Sequence, residues 1–126
     1  MSADGILLEL QDLKTHFFTE AGVVRAVDGV TYRLPRGRTL GVVGESGCGK
    51  SSLAKAILRL LPRNEHTYSG QISLKGTKLM SMEEERFRRE VRWSGMSLVA
   101  QAALNSLNPV LKVGEQIIEP LTTHRN

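Results

Sequence analysis

Hydrophobic and polar positions along the chain fall into short runs with two different periods. "ILLELQDL", Ile6 to Leu13, reads as a strand with weak alternation. "VVRAVDGVTYRL" reads as a second strand, with Val30, Tyr32 and Leu34 alternating with polar neighbours. "PRGR", Pro35 to Arg38, is a turn signal. "TLGVVG", Thr39 to Gly44, is short, rich in β-branched residues and free of alternation, which predicts a strand covered on both faces. From Lys50 the period lengthens, and "KSSLAKAILRLLP" places Leu53, Ile57 and Leu60 or Leu61 on one helical face, with Pro62 as the stop. Gln71 to Leu74 reads as a strand between glycine turns. Ser81 and Glu84 have the spacing of a capping box, which predicts a helix running to about Arg92 with Phe87 inward. "MSLVAQ" reads as another short strand, Leu107 to Pro109 as a turn, and "VGEQIIEPL" as the start of a helix near Gly114, interrupted by Pro120. The order predicts an α/β fold with a small β region attached. No repeat or low-complexity linker breaks it.

Composition narrows the picture only a little. With 126 residues, 40% apolar and 24% charged, the chain fits one globular domain at most. The net charge of +4 permits a polyanion, a nucleotide or an anionic surface as partner without choosing among them. Charges are mixed in sign, as in "EEERFRRE", and aromatic residues do not interleave with basic ones, so a nucleic-acid platform is not expected. The single cysteine, Cys48, makes no internal disulfide and no zinc cluster with three scattered histidines, which suggests a reducing compartment. The first ten residues lack the features of a signal peptide, and no apolar run is long enough to span a bilayer.

Chemistry concentrates in "GESGCGKS". Gly44-Glu45-Ser46-Gly47-Cys48-Gly49-Lys50-Ser51 fits G-x-x-x-x-G-K-[ST] without a gap, between a predicted strand and a predicted helix. A phosphate chain must be surrounded closely, and glycines let the backbone turn its N–H groups inward. The helix that follows offers its free N–H groups to the same anion. Lys50 is placed to reach the β and γ phosphates, and Ser51 to give an oxygen to Mg²⁺. Glu45 and Cys48 read as spacers within the loop, although a thiol at a helix start also has the setting for a lowered pKa. The alternative is a glycine turn that merely precedes a helix. Strand before and amphipathic helix after favour the phosphate cradle, and with it binding of a nucleoside triphosphate and Mg²⁺.

Together with "AVDGVTYRLPRGRTLGVVGESGCGKSSLAKAILRLL", the stretch "MSLVAQAALNSLNPVLKVGEQI" resembles the ATP-binding subunits of ABC transporters, within them the oligopeptide, dipeptide and nickel importer group. "GESGCGKS" and "SLNPVLKVGEQI" carry the likeness to that group, which runs from about Ile6 to Leu121. The resemblance implies a P-loop NTPase fold of the ABC nucleotide-binding type with a small antiparallel β region, of which residues 1–126 hold the amino-terminal part. The β region and the Walker A core would extend to about residue 100. The Q-loop and the start of the helical subdomain would occupy 101–126.

By the same resemblance, Gly44 to Ser51 is the Walker A loop, extended by Ser52, and Gln101 is the Q-loop glutamine that touches Mg²⁺ or the attacking water. On its own merits Gln101 is equally a surface polar residue at a strand end, or an amide at the carboxyl edge of a sheet where ligands bind. Phe17 matches the aromatic that stacks on adenine, with His16 and Phe18 as alternatives in a loose register; either aromatic could instead pack the β region. Ser52 stands where the family usually has Thr, and Ala100, Ala102 and Ala103 surround Gln101 where Phe, an acid and Pro are usual. The family's signature, Walker B strand, catalytic Glu and switch His are absent from these residues, and His124 does not replace the last.

The implied activity is ATP binding within an ATP-hydrolysing subunit that energises import of peptides or similar small solutes. Lys50 and Gln101 would be its catalytic groups in this chain, Ser51 and Gln101 its Mg²⁺ contacts. Implied partners are transmembrane permease subunits, a second ATP-binding subunit and, indirectly, an extracytoplasmic solute-binding protein, at the cytoplasmic face of the membrane. Other readings are a non-catalytic interaction protein and a small P-loop kinase, for which Arg63 in "LPRNEH" is the only lid-like arginine.

Overall fold

The computed structural model describes residues 5–124, without the side chains of Ala103, Leu104 and His124, so the readings of the first residues and of the Ala103 and His124 side chains lie outside the described residues. Two compact units divide the chain, Met1–Met82 and Glu83–Asn126. The fold is mixed α/β, with an antiparallel sheet and short helices.

The first unit is built on a four-stranded sheet of order β2-β1-β3-β4. Its strands are β1 (Ile6–Thr19), β2 (Gly22–Pro35), β3 (Glu65–Leu74) and β4 (Thr77–Lys78). β1 and β2 form a long hairpin, from Thr19 opposite Gly22 back to Ile6 opposite Pro35. β3 pairs along the other side of β1, with Leu8 opposite Leu74 and Thr15 opposite Tyr68.

The weak alternation of the first strand has a structural cause. Leu8 and Leu10 are buried, and so are Leu13 and Thr15. Leu10 and Leu13 are an odd number of positions apart, which in a regular strand would put them on opposite faces. A bulge at Gln11–Asp12 takes up the extra residue: the register shifts between Leu10 and Leu13 against β2, and between Gln11 and Lys14 against β3. Asp12 adopts φ 47° there, and its N–H donates to Thr31 Oγ1 at 2.9 Å. Gly70 passes so close to the bulge that a Cβ on it would overlap the Asp12 carbonyl oxygen. Leu8, Leu10, Leu13, Val27, Ile72 and Leu74 form the buried face of the sheet, with Leu79 after β4.

Helix α1 (Lys50–Ile57) is shorter than its apolar pattern suggested. Arg59 takes a left-handed conformation (φ 55°), its N–H donates to Ala56 O at 3.1 Å, and the Leu60 N–H donates to Lys55 O at 2.9 Å. Those paired bonds are a Schellman stop, reached before Pro62, so Leu60 and Leu61 leave the helix rather than extend its face. The Arg59 guanidinium also donates to Met82 O at 2.8 Å.

In the second unit, α2 (Glu84–Glu90) carries ion pairs Arg86–Glu90 at 2.9 Å and Arg88–Glu85 at 2.8 Å on a solvated face. Phe87 is buried, and the Arg92 guanidinium sits 5.2 Å from its ring centroid. The expected capping box does not form: Glu83 occupies the N-cap, without a side-chain cap bond, so Ser81 falls outside the first turn. After a 3₁₀ turn, Ala103–Ser106, helix α3 runs from Val113 to His124 with Pro120 inside it. Proline there removes one helical donor without ending the helix.

Candidate functional site

The predicted strands Thr39–Gly44, expected to be covered on both faces, and Met96–Gln101 are corrected by the structure. Thr39–Gly44 joins no ladder among the described residues, and Val43 is 93% exposed. Met96 makes only an isolated bridge to Arg92, and Val99 is 88% exposed. Their composition is that of core strands, yet burial needs neighbouring strands, and the four strands present pair only with one another.

The loop that follows Thr39–Gly44 is nevertheless defined. Gly47 (φ 81°) and Gly49 (φ 99°) take left-handed conformations that side chains resist, and Gly49 caps α1. The Cys48 N–H donates to Glu45 O at 3.3 Å, which closes a turn around Ser46 and Gly47. The Lys50 ammonium folds back over the loop and donates to Gly44 O at 2.7 Å and Glu45 O at 2.6 Å. It lies 3.4 Å from Cys48 Sγ, and that sulfur occupies the space a Cβ on Gly44 would need. Residues 44–50 therefore form one ring of backbone drawn around a cation. Ser51 is exposed in the first turn of α1, where helix geometry leaves backbone N–H groups without intrahelical acceptors.

Beside this loop lies an open pocket of about 480 Å³ lined by Phe17, Ser52, Lys55, Leu60, Leu61 and Pro62. Of the three aromatic candidates, Phe17 is the one that lines it. Phe17 faces the pocket together with Ser52 of the loop's own helix. His16 is engaged elsewhere, with Nε2 2.9 Å from Asp28 Oδ1. Phe18 points away at 56% exposure and rests edge-on against His66, at 4.7 Å between centroids, so it is not a core residue either. Sequence reasoning missed Lys55, Leu60, Leu61 and Pro62 as pocket walls. The only signal was the Leu-Leu-Pro sequence, read as a helix end.

The structure thus brings Phe17, Gly44, Glu45, Ser46, Gly47, Cys48, Gly49, Lys50, Ser51 and Ser52 into one unit. Gln101 belongs to the other unit, where it is exposed in the turn that precedes Ala103–Ser106. No helix among the described residues is long and apolar enough to cross a membrane.

Comparison with known proteins agrees with this architecture. The ABC transporter family model matches residues 27–124. A "Probable peptide ABC transporter ATP-binding protein" of Sinorhizobium fredii is 44% identical over 94% of this chain and 36% of its own length. An oligopeptide transport ATP-binding protein of Salmonella typhimurium is 44% identical over 94% of the chain and 36% of its own length. A dipeptide transport ATP-binding protein of Lactococcus lactis is 37% identical over 97% of the chain and 35% of its own length. The chain thus spans about a third of the length of these relatives. ATP with Mg²⁺ is the general ligand of the family. By its loop, its hairpin sheet and these matches, the chain belongs to the ABC transporter family, as an ATP-binding domain related to those of peptide importers.

Proposed function

We propose that this chain binds Mg²⁺–ATP on the loop Gly44–Ser51, with the base against Phe17, as part of an ATPase subunit that energises import of peptides or similar small solutes. The observation that carries the reading is the juxtaposition of two features in one unit. A glycine ring closed around the Lys50 ammonium opens α1, and a pocket walled by Phe17 and Ser52 adjoins it.

In this reading the phosphates take the place of the Gly44 and Glu45 carbonyls on Lys50, and bonds between opposite charges replace bonds from the ammonium to neutral carbonyls. Loop and first-turn N–H groups supply the remaining donors. The Ser51 hydroxyl, exposed in the first turn of α1 beside the cradle, is an oxygen donor of the kind a hard divalent cation takes. Mg²⁺, when bound, would supply positive charge to offset the negative charge of the phosphates during transfer. Ser51 and Gln101 would hold it, Gln101 would also orient water, and Lys50 would stabilise charge on the phosphoryl oxygens. Gly44, Glu45, Ser46, Gly47, Cys48, Gly49 and Ser52 would shape the cradle.

The domain layout follows the same reading, with the β region and cradle to about residue 100 and the Q-loop with the start of a helical subdomain in 101–126. Its partners would be permease subunits, a second ATP-binding subunit and, through them, an extracytoplasmic solute-binding protein, at the cytoplasmic face of the membrane.

The test is a titration with a fluorescent ATP analogue, with and without Mg²⁺, beside Lys50→Ala. Saturable, Mg²⁺-dependent binding that K50A abolishes is expected. Equal binding by the variant would sink the reading.

A further inference from the structure

We infer that Tyr68 is a positioning residue for nucleotide binding: its hydroxyl sets the spacing between the Phe17 wall and the phosphate-binding end of α1. The inference rests on the nucleotide reading of the site and adds to it a residue outside the loop and outside the pocket lining.

Tyr68 lies in β3, opposite Thr15 of β1, on the strand that neighbours Phe17. Its hydroxyl donates to Ala56 O in α1 at 2.6 Å. Ala56 is fully buried, and its carbonyl already accepts the Arg59 N–H at 3.1 Å, so both lone pairs of that oxygen are engaged at the helix stop. Ser52 and Ala56 stand one helical turn apart on the same face of α1, about 6 Å along its axis. The Tyr68 bond therefore grips α1 one turn below the serine that shares the pocket with Phe17.

Phe17 rides on β1, which is fixed to β3 by the sheet ladder. The loop rides on the start of α1. Between these two bodies the Tyr68 hydroxyl is a direct polar tie at hydrogen-bond distance. A ligand that touches only the loop is indifferent to the spacing between the bodies. A ligand that spans loop and aromatic wall requires it to be correct, because misplacement forfeits one contact or the other.

The measurement is affinity of the protein and of Tyr68→Phe for Mg²⁺–ATP and for inorganic tripolyphosphate with Mg²⁺, which offers the phosphates without the nucleoside. The phenylalanine keeps the ring and removes the hydroxyl, and with it the bond to Ala56 O. Expected is a loss of about five-fold for ATP, the worth of one such bond, with tripolyphosphate changed by less than about two-fold. Equal losses for both ligands, no loss for either, or a Y68F protein that is unfolded at the assay temperature would overturn the inference. In those cases the bond supports the fold or nothing, rather than the spacing. If the unsubstituted protein binds tripolyphosphate but not ATP, or neither, the nucleotide reading itself fails and takes this inference with it.

Discussion

The backbone of Gly49 lies against the carbonyl oxygen of Ala26, so close that a Cβ at position 49 would overlap it. The loop Gly44–Ser51 is thereby seated on β2, and not only on its own helix. Gly47 has a similar left-handed backbone but open space around it. Gly49→Ala is expected to meet both the conformational penalty and the overlap, and to cost more than Gly47→Ala, which meets about 1 kcal/mol of conformational penalty alone. Thermal unfolding of the two variants measures the difference, and equal midpoints would contradict the seating on Ala26.

The pocket geometry separates two adjacent phenylalanines. Phe17→Ala is expected to weaken binding of an adenine nucleotide about ten-fold, within the range of one lost base–aromatic stack. Phe18→Ala, which removes a ring resting on His66, is expected to leave binding within about two-fold. Equilibrium titration of both variants decides it, and the reverse order would move the base site to the other side of β1.

Acid sensitivity follows from two carboxylates. The hydrogen bond from the Gln11 amide, and then the Arg33 guanidinium, hold Glu9 below its ordinary value. The hydrogen bond and charge of Arg88 do the same for Glu85. A carboxyl depressed in the folded state adds stability that is complete above its unfolded value and is lost as pH falls through its folded one. Stability is therefore expected to fall as pH drops from about 4.5 downward, and Glu9→Gln should make that acid limb shallower. Chemical denaturation at a series of pH values reads the slope, and an unchanged limb in E9Q would remove Glu9 from the account.

The unpaired apolar segments have a direct readout. Val43 and Val99 present most of their surface to water. The protein is expected to enhance the fluorescence of a hydrophobic dye, and Val43→Thr with Val99→Thr should lower that signal without shifting the unfolding midpoint. An unchanged signal in the double variant would place the dye elsewhere.

These residues also show where the sequence was legible. Gly44 to Ser51 could be read because the cradle is made of local backbone turns, whose glycine and lysine demands do not depend on distant packing. The second hairpin strand could be read because Val30, Tyr32 and Leu34 alternate with exposed neighbours, whereas the bulge at Asp12 weakened the alternation of the first. Thr39–Gly44 was misjudged as a covered strand, and Met96–Gln101 as a strand, because composition records fitness for a sheet and says nothing about whether neighbours pair with it. Phe17 was separable from His16 and Phe18 only in three dimensions, since the bulge at Asp12 and a further shift after His16 reset the facing of β1. Ser81 had the right spacing for a cap, but the chain enters α2 two residues later, an offset within the ordinary uncertainty of helix ends.

The pairing of β1 with β3 has a kinetic consequence. Leu8 meets Leu74, and Phe17 meets Glu65, only after the chain has passed through β2, the phosphate loop and α1. Everything between β1 and β3, the loop Gly44–Ser51 included, is thus a closed excursion within the sheet's own ladder. The hairpin of β1 and β2 can form locally, whereas the β1–β3 ladder must first meet the entropy of drawing that excursion shut. A ligand of the proposed kind, held by the loop, would compact the excursion before closure and so hasten the last step of building the sheet.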